Sequence, residues 1–235
     1  MSGTHQLTNI DWPTYQATLA ETGFALLPSI LSPNACRELA DLYNVPGLYR
    51  KTIVMQRHGY GSGEYKYFNY PLPPVVEQLR HVVYAQLAPV ANAWNDQLSI
   101  GQQYPADLGT WLTTCHAAGQ TRPTPLILRY GPGDWNALHQ DLYGDLHFPF
   151  QAVLCLTQPG LDYTGGEFVM LEQRPRRQSK ATVLQPEQGQ LVLFTTRYRP
   201  AKGARGHYRV TMRHGVSDVR TGNRVNIGLI FHDAA

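Results

Sequence analysis

Leu126-Ile127-Leu128-Arg129-Tyr130-Gly131-Pro132-Gly133-Asp134-Trp135-Asn136-Ala137-Leu138-His139-Gln140-Asp141 is the stretch whose reading decides the fold. An apolar run ends at Tyr130. A Gly-Pro-Gly turn follows, and a second extended segment carries the chain into His139-Gln140-Asp141. Side chains on an extended segment repeat with a period of two, so His139 and Asp141 point to one side. An imidazole and a carboxylate placed together can grip one face of a metal ion. A His-x-Asp triplet is common by chance, and its meaning here comes from its flanks.

Downstream the chain reads Met212-Arg213-His214-Gly215-Val216 and then Arg224-Val225-Asn226-Ile227-Gly228-Leu229-Ile230-Phe231. His214, from a distant strand, completes a set of two histidines and one carboxylate with open coordination positions, the ligand pattern of non-haem Fe(II) oxygenases. The alternative is two ordinary histidines and a turn carboxylate. The last stretch alternates as a strand with one buried face, and Arg224 starts it on the ligand side. A buried guanidinium needs an anion, and its planar fork suits a carboxylate. Asn226 shares that face.

These residues resemble the Fe(II)/2-oxoglutarate-dependent dioxygenases. That superfamily carries H-x-D…H for iron, an Arg or Lys about ten residues after the distal His for the far carboxylate of 2-oxoglutarate, and commonly a Tyr nine residues before the first His. The matching positions are His139, Asp141, His214, Arg224 and Tyr130. Tyr-Gly-Pro-Gly…Leu-His-Gln-Asp resembles the AlkB-like branch, which dealkylates nucleic acids. The short gap from His214 to Arg224 and Thr164-Gly165-Gly166-Glu167-Phe168 are more similar to the prolyl-hydroxylase branch. The chain as a whole most resembles a bacterial AlkB-related group assigned to oxidative demethylation of damaged nucleic acid. It departs from the AlkB-like pattern at Leu128, where that branch has Asn. The resemblance implies Fe(II), 2-oxoglutarate and O2 as cofactor and cosubstrates, with Tyr130, Arg224 and Asn226 binding 2-oxoglutarate.

With 235 residues, 43% hydrophobic and 16% charged, the chain reads as one globular domain over 1–235. Residues 1–120 read as a mainly helical support with a candidate substrate lid, and 121–235 as the catalytic core. Helices are expected from the Ser32-Pro33 start to Tyr43, from Pro73 to Leu98 with Pro89 kinking or splitting it, and from Asp107 to Ala118. Strands are expected at 125–130, 136–141, 150–157, 166–171, 181–184, 190–195, 207–214 and 224–232. Helices first and strands later predict a mainly β fold with N-terminal helices. With the resemblance this becomes a double-stranded β-helix, or jelly roll.

There is no run of eighteen apolar residues, so no membrane span is expected. Met1-Ser2-Gly3-Thr4-His5-Gln6 does not read as a signal peptide. Cys36, Cys115 and Cys155 read as buried thiols of a reducing cytoplasm. Net charge is +3, yet twelve of the twenty basic residues fall between Leu171 and Arg224, against three acids. A basic surface favours polyanions. The segment Met55–Tyr70 mixes glycines, aromatics and bases. It reads either as a lid in which Arg57, Tyr60, Tyr65 and Tyr67 meet substrate, or as a glycine-rich hairpin covering the core edge. Trp135 is a candidate lining of the substrate pocket. The expected partner is single-stranded or damaged nucleic acid. The alternatives are a protein side-chain or small-metabolite hydroxylase, and a non-enzymatic jelly-roll binding module.

Overall fold

The computed structural model describes residues 7–141 and 144–235. The stretch Met1–Gln6, read above as lacking a signal peptide, lies outside the described residues. In chain order the first elements are α1 (Trp12–Thr22), β1 (Phe24–Ser29), α2 (Pro33–Asp41), β2 (Tyr49–Val54), β3 (Gly61–Ser62), β4 (Glu64–Phe68), α3 (Pro74–Gln97) and α4 (Leu108–Ala117). Strands follow: β5 (Leu126–Tyr130), β6 (Trp135–His139), β7 (Phe150–Cys155), β8 (Tyr163–Gly165), β9 (Phe168–Gln173), β10 (Lys180–Leu184), β11 (Gln190–Thr195), β12 (Tyr198–Gly203), β13 (Gly206–Val216), β14 (Val219–Gly222) and β15 (Arg224–Ile230).

The helix ends follow from local chemistry. Ser32 caps α2 by accepting from the Ala35 N–H, with Pro33 in the first turn. Asp107 caps α4 through the Thr110 N–H. Gly23, in the left-handed conformation, ends α1 by returning its N–H to the Leu19 carbonyl. The sequence reading missed α1, although Asp11 followed by Pro13 is a start signal. The expected break at Pro89 does not split α3, which runs as one helix of 24 residues. Pro89 is exposed, whereas Leu87, Ala88, Val90, Ala91 and Trp94 around it are buried, so packing holds both halves in line.

Seven strands form the major sheet in the order β1-β11-β7-β15-β5-β4-β2, and the minor sheet runs β10-β9-β13-β6-β3 with β12 paired to β13. The strand pairings are antiparallel, as a jelly roll requires. Burial follows the period of two. Val225, Ile227 and Leu229 of β15 pack with Ile127, Ala152, Leu154, Leu191 and Leu193 against the helices in the main core. Arg224, Asn226, Gly228 and Ile230 face the other way, into the space between the sheets. All of β15 is therefore buried, where one buried face was expected. Met170, Val192, Phe194 and Met212 fill part of that space.

The N-terminal half supplies strands as well as helices. β1 forms one margin of the major sheet, and β2 with β4 extends the other. The 55–70 segment is woven into both sheets: β4 pairs between β2 and β5, and β3 pairs with β6. The three cysteines are free and buried. No helix among the described residues is long and apolar enough to cross a membrane.

Candidate metal and cosubstrate site

Antiparallel pairing of β6 with β13 sets His139 directly opposite His214, with ring centroids 4.2 Å apart. Asp141 follows the end of β6. One of its carboxylate oxygens lies 3.3 Å from His139 Nε2 and the other 3.3 Å from His214 Nε2. The three ligand atoms fall within 4.8 Å of one another. Gln140 points away, donating from its amide to the carbonyls of Arg197 and Met212 at 2.7 and 3.0 Å. The alternation that placed His139 and Asp141 on one side thus also pins the segment between them.

The ring orientations suit ligation. His139 Nδ1 donates to the Ala137 carbonyl at 2.7 Å, which leaves the lone pair on Nε2, toward Asp141. His214 is packed between Phe168 and Phe194, at centroid distances of 6.0 and 4.5 Å. Burial works against the Asp141 charge, yet the adjoining His139 and His214 rings, when protonated, hold its carboxyl well below the usual carboxylate range. Burial also works against protonated His139, but the Asp141 hydrogen bond and charge push its pKa up. Burial and the neighbouring His139 push His214 down. Two Nε2 atoms and a carboxylate converging on one point, open toward a cavity, fit Fe(II).

Across that cavity, Arg224 of β15 is paired in register with Tyr130 of β5. Arg224 is 2% exposed and Tyr130 fully buried. The guanidinium carbon lies 5.6 Å from the Tyr130 ring centroid. Burial pushes the Tyr163 pKa up, and the nearby Arg224 charge works the other way, while Asn136 reaches the Tyr130 hydroxyl at 3.5 Å. Gly166 backs the arginine. A Cβ there would come within 2.9 Å of both Arg224 Cδ and Val219 Cγ2, and its φ of +62° is one that L side chains rarely adopt. A cationic fork with phenols beside it, facing a metal triad, matches the two ends of a keto dicarboxylate.

The cavity has a volume of about 650 Å³. Its lining unites the triad with Tyr130, Arg224, Asn226, Tyr60, Tyr65 and Tyr67. Trp135 and Arg57 do not belong to it. Trp135 is 42% exposed, because β6 carries an extra residue between Asn136 and His139 relative to β13. This bulge brings Asn136 to the cavity side and sends Trp135 outward. Arg57 sits exposed in the helical turn Met55–His58. Sequence reasoning missed Lys51, Asn136, Gln151, Phe168, Phe194 and Tyr163. Most of them depend on pairings no local pattern announces.

The basic C-terminal run gathers elsewhere. A separate cleft of about 770 Å³ is lined by Arg174, Arg177, Lys180, Arg199 and Lys202, with Glu172 between Arg174 and Arg199 at 2.6 and 2.5 Å. Of that run, only Arg224 lines the metal cavity.

Two facing antiparallel sheets, a His-Asp-His triad and a buried arginine across from it define a jelly-roll oxygenase of the iron- and 2-oxoglutarate-dependent class. Residues 63–234 match the family described as "Oxygenase, catalysing oxidative methylation of damaged DNA", and the chain belongs to that family. An uncharacterized protein of Mycobacterium tuberculosis, Rv2227, is 52% identical over 168 residues, 72% of each chain. Among solved structures, a Pseudomonas putida prolyl-4-hydroxylase superposes with a TM-score of 0.56 at 17% identity, covering 95% of this chain and 99% of that one. An oxidoreductase of the 2OG-Fe(II) oxygenase family from Burkholderia pseudomallei gives 0.54 at 17%, covering 96% and 93%. At such identities these two structures speak for the fold alone. Fe(II), 2-oxoglutarate and O2 are the cofactor and cosubstrates of the class.

Proposed function

We propose that this protein oxidatively removes alkyl groups from damaged or methylated nucleic-acid bases. The observation that carries this reading is the aromatic wall of the cavity. Tyr65 and Tyr67 stand edge to face at 5.4 Å on β4, and Tyr60 lies nearby, half exposed and stacked on His58. Tyr65 lies near enough to Asp141 to feel its charge. A base extruded from its strand needs such faces beside the reacting centre. The family description, which names damaged DNA, supports the same substrate.

In this reading His139, Asp141 and His214 hold the iron, while Arg224, Tyr130 and Asn226 hold the far carboxylate of 2-oxoglutarate. Iron and 2-oxoglutarate together supply, with O2, the oxidation of a nearby C–H bond. The chain's own residues orient and shield. Val153, Phe168, Phe194, Leu126 and Leu128 line the cavity and keep water out. Hydroxylation of a carbon attached to nitrogen ends in loss of an aldehyde, so no side-chain base is needed.

The test is formaldehyde release from methylated single-stranded oligonucleotide in the presence of Fe(II) and 2-oxoglutarate. The expected result is formaldehyde matched to succinate and absent with unmethylated strand. Succinate formation stimulated by a peptide or a small metabolite, with no formaldehyde from any methylated strand, would replace this reading by side-chain or metabolite hydroxylation.

A further inference from the structure

A second depression adjoins the metal cavity. It has a volume of about 370 Å³ and is lined by Arg50, Lys51, Asn69, Tyr70, Thr121, Arg122 and Pro123. Lys51 lines this groove and the metal cavity alike. No carboxylate lines the groove. None of the ion pairs among the described residues includes Arg50, Lys51 or Arg122.

The cations are built in rather than scattered. Arg50 Nε donates to the Pro123 carbonyl at 2.7 Å, and its guanidinium lies 4.4 Å from the centroid of Tyr67, a ring of the cavity wall. The Arg122 backbone is fixed by two hydrogen bonds with Ala234, at 2.9 and 2.8 Å. Lys51 pairs in register with Tyr67, so both side chains leave the sheet on the cavity side. Burial lowers the Arg50 pKa, Tyr67 and the buried Asp233, itself paired with Arg80, work the other way, and the Arg122 charge adds to the lowering, so the two cations are near enough to repel. Like charges held together beside a substrate cavity, with no acid in the lining, attract a polyanion.

We propose that this groove binds the sugar-phosphate backbone of a single nucleic-acid strand, with Lys51, Arg50 and Arg122 on successive phosphates, while the target base enters the metal cavity past Tyr67. The proposal rests on the base-dealkylase reading and adds where the strand runs. It also moves the phosphate contacts away from the basic cleft around Arg174, Lys180 and Lys202, where the concentration of charge in the sequence had pointed.

The experiment measures binding of a fluorescent methylated single-stranded oligonucleotide by anisotropy at several salt concentrations, for the parent chain, Lys51→Ala/Arg122→Ala and Lys180→Ala/Lys202→Ala. Arg50 is left intact because its bond to Pro123 supports the fold. Single-strand binding weakens with salt by a log–log slope of about 0.7 per phosphate contact, so losing two contacts should make the slope shallower by roughly 1.4. The Lys51/Arg122 variant is expected to bind at least tenfold more weakly at low salt, and the Lys180/Lys202 variant like the parent. A complementary measurement uses the unmutated protein. Bound oligonucleotide should protect the Lys51 amine from acylation, read by mass spectrometry, and leave Lys180 and Lys202 reactive. If the parent demethylates the strand but the Lys51/Arg122 variant keeps affinity and slope, or Lys51 stays reactive, the groove assignment is overturned and the dealkylase reading stands. If the parent neither binds nor demethylates any strand, both fall.

Discussion

At Gly166 one methyl group decides how Arg224 is seated. Gly166→Ala adds a Cβ within 2.9 Å of Arg224 Cδ at a φ of +62°, a conformation that costs an L residue roughly 1–2 kcal/mol. We expect this variant to raise the KM for 2-oxoglutarate while iron binding is retained; an unchanged KM would mean that Arg224 does not set the cosubstrate site. Arg224→Ala should weaken 2-oxoglutarate by orders of magnitude, since breaking a buried charge pair costs roughly 3–5 kcal/mol. Tyr130→Phe should cost only about 1 kcal/mol, one neutral hydrogen bond. Calorimetric titration of the metal-loaded protein separates these two, and equal losses would contradict the ranking. The shared side of His139 and Asp141 was legible in the sequence because strand alternation is local, whereas His214 and Arg224 were singled out by the spacing of the superfamily the chain resembles. Trp135 was misplaced because the bulge in β6 exists only through its pairing with β13.

Among the elements, α2, α3 and α4 could be read from their caps and apolar spacing, and the core strands from their apolar runs. β1, β2, β4 and β12 could not. β1 carries Pro28 and borders the major sheet, where a missing N–H is tolerated. β2 and β4 are rich in Tyr, Lys and Arg, and their inner faces serve a cavity instead of a core, so apolar periodicity is absent from them. Pro89 exposes the limit of local rules in the other direction, since the burial of its neighbours outweighs its cost. Pro89 cannot donate to the Ala85 carbonyl, and an interior proline costs a helix about 3 kcal/mol. Pro89→Ala should therefore raise the urea midpoint, with a gain of about 1–3 kcal/mol. A lower midpoint would show that the packing of α3 is shaped to the proline.

For the molecule as a whole, one buried cluster ties the helices to the C-terminal end of β15. Arg80 of α3 donates to the Ile230 and His232 carbonyls and pairs with Asp233 at 2.7 Å, both side chains being fully buried. Tyr70 and His116 also reach Asp233. Asp233→Ala leaves Arg80 without its buried partner and should destabilise by roughly 3–5 kcal/mol. Burial opposes the Asp233 charge, but Arg80, His116 and Tyr70 bring its pKa below the ordinary value of 3.8. Burial pushes His232 down from 6.5 to about 3. Both folded pKa values are depressed, so the unfolded chain takes up protons first. Stability present at neutral pH should then fall between pH 6.5 and about 3 through His232, and below 3.8 through Asp233. His232→Asn, whose Oδ1 can still accept from the Phe148 N–H, should flatten the upper part of that fall in thermal melts; an unaltered profile would assign it elsewhere. At this scale the sequence revealed the fold class and the triad but not where surface charge gathers, since that depends on which end of the sandwich each strand reaches. The account stands or falls on the triad. Iron per chain and succinate formed from 2-oxoglutarate should be measured together for the parent and for Asp141→Ala. The expected result is one Fe(II) per chain and turnover in the parent, with both lost in the variant, whereas full iron occupancy and turnover in Asp141→Ala would contradict it.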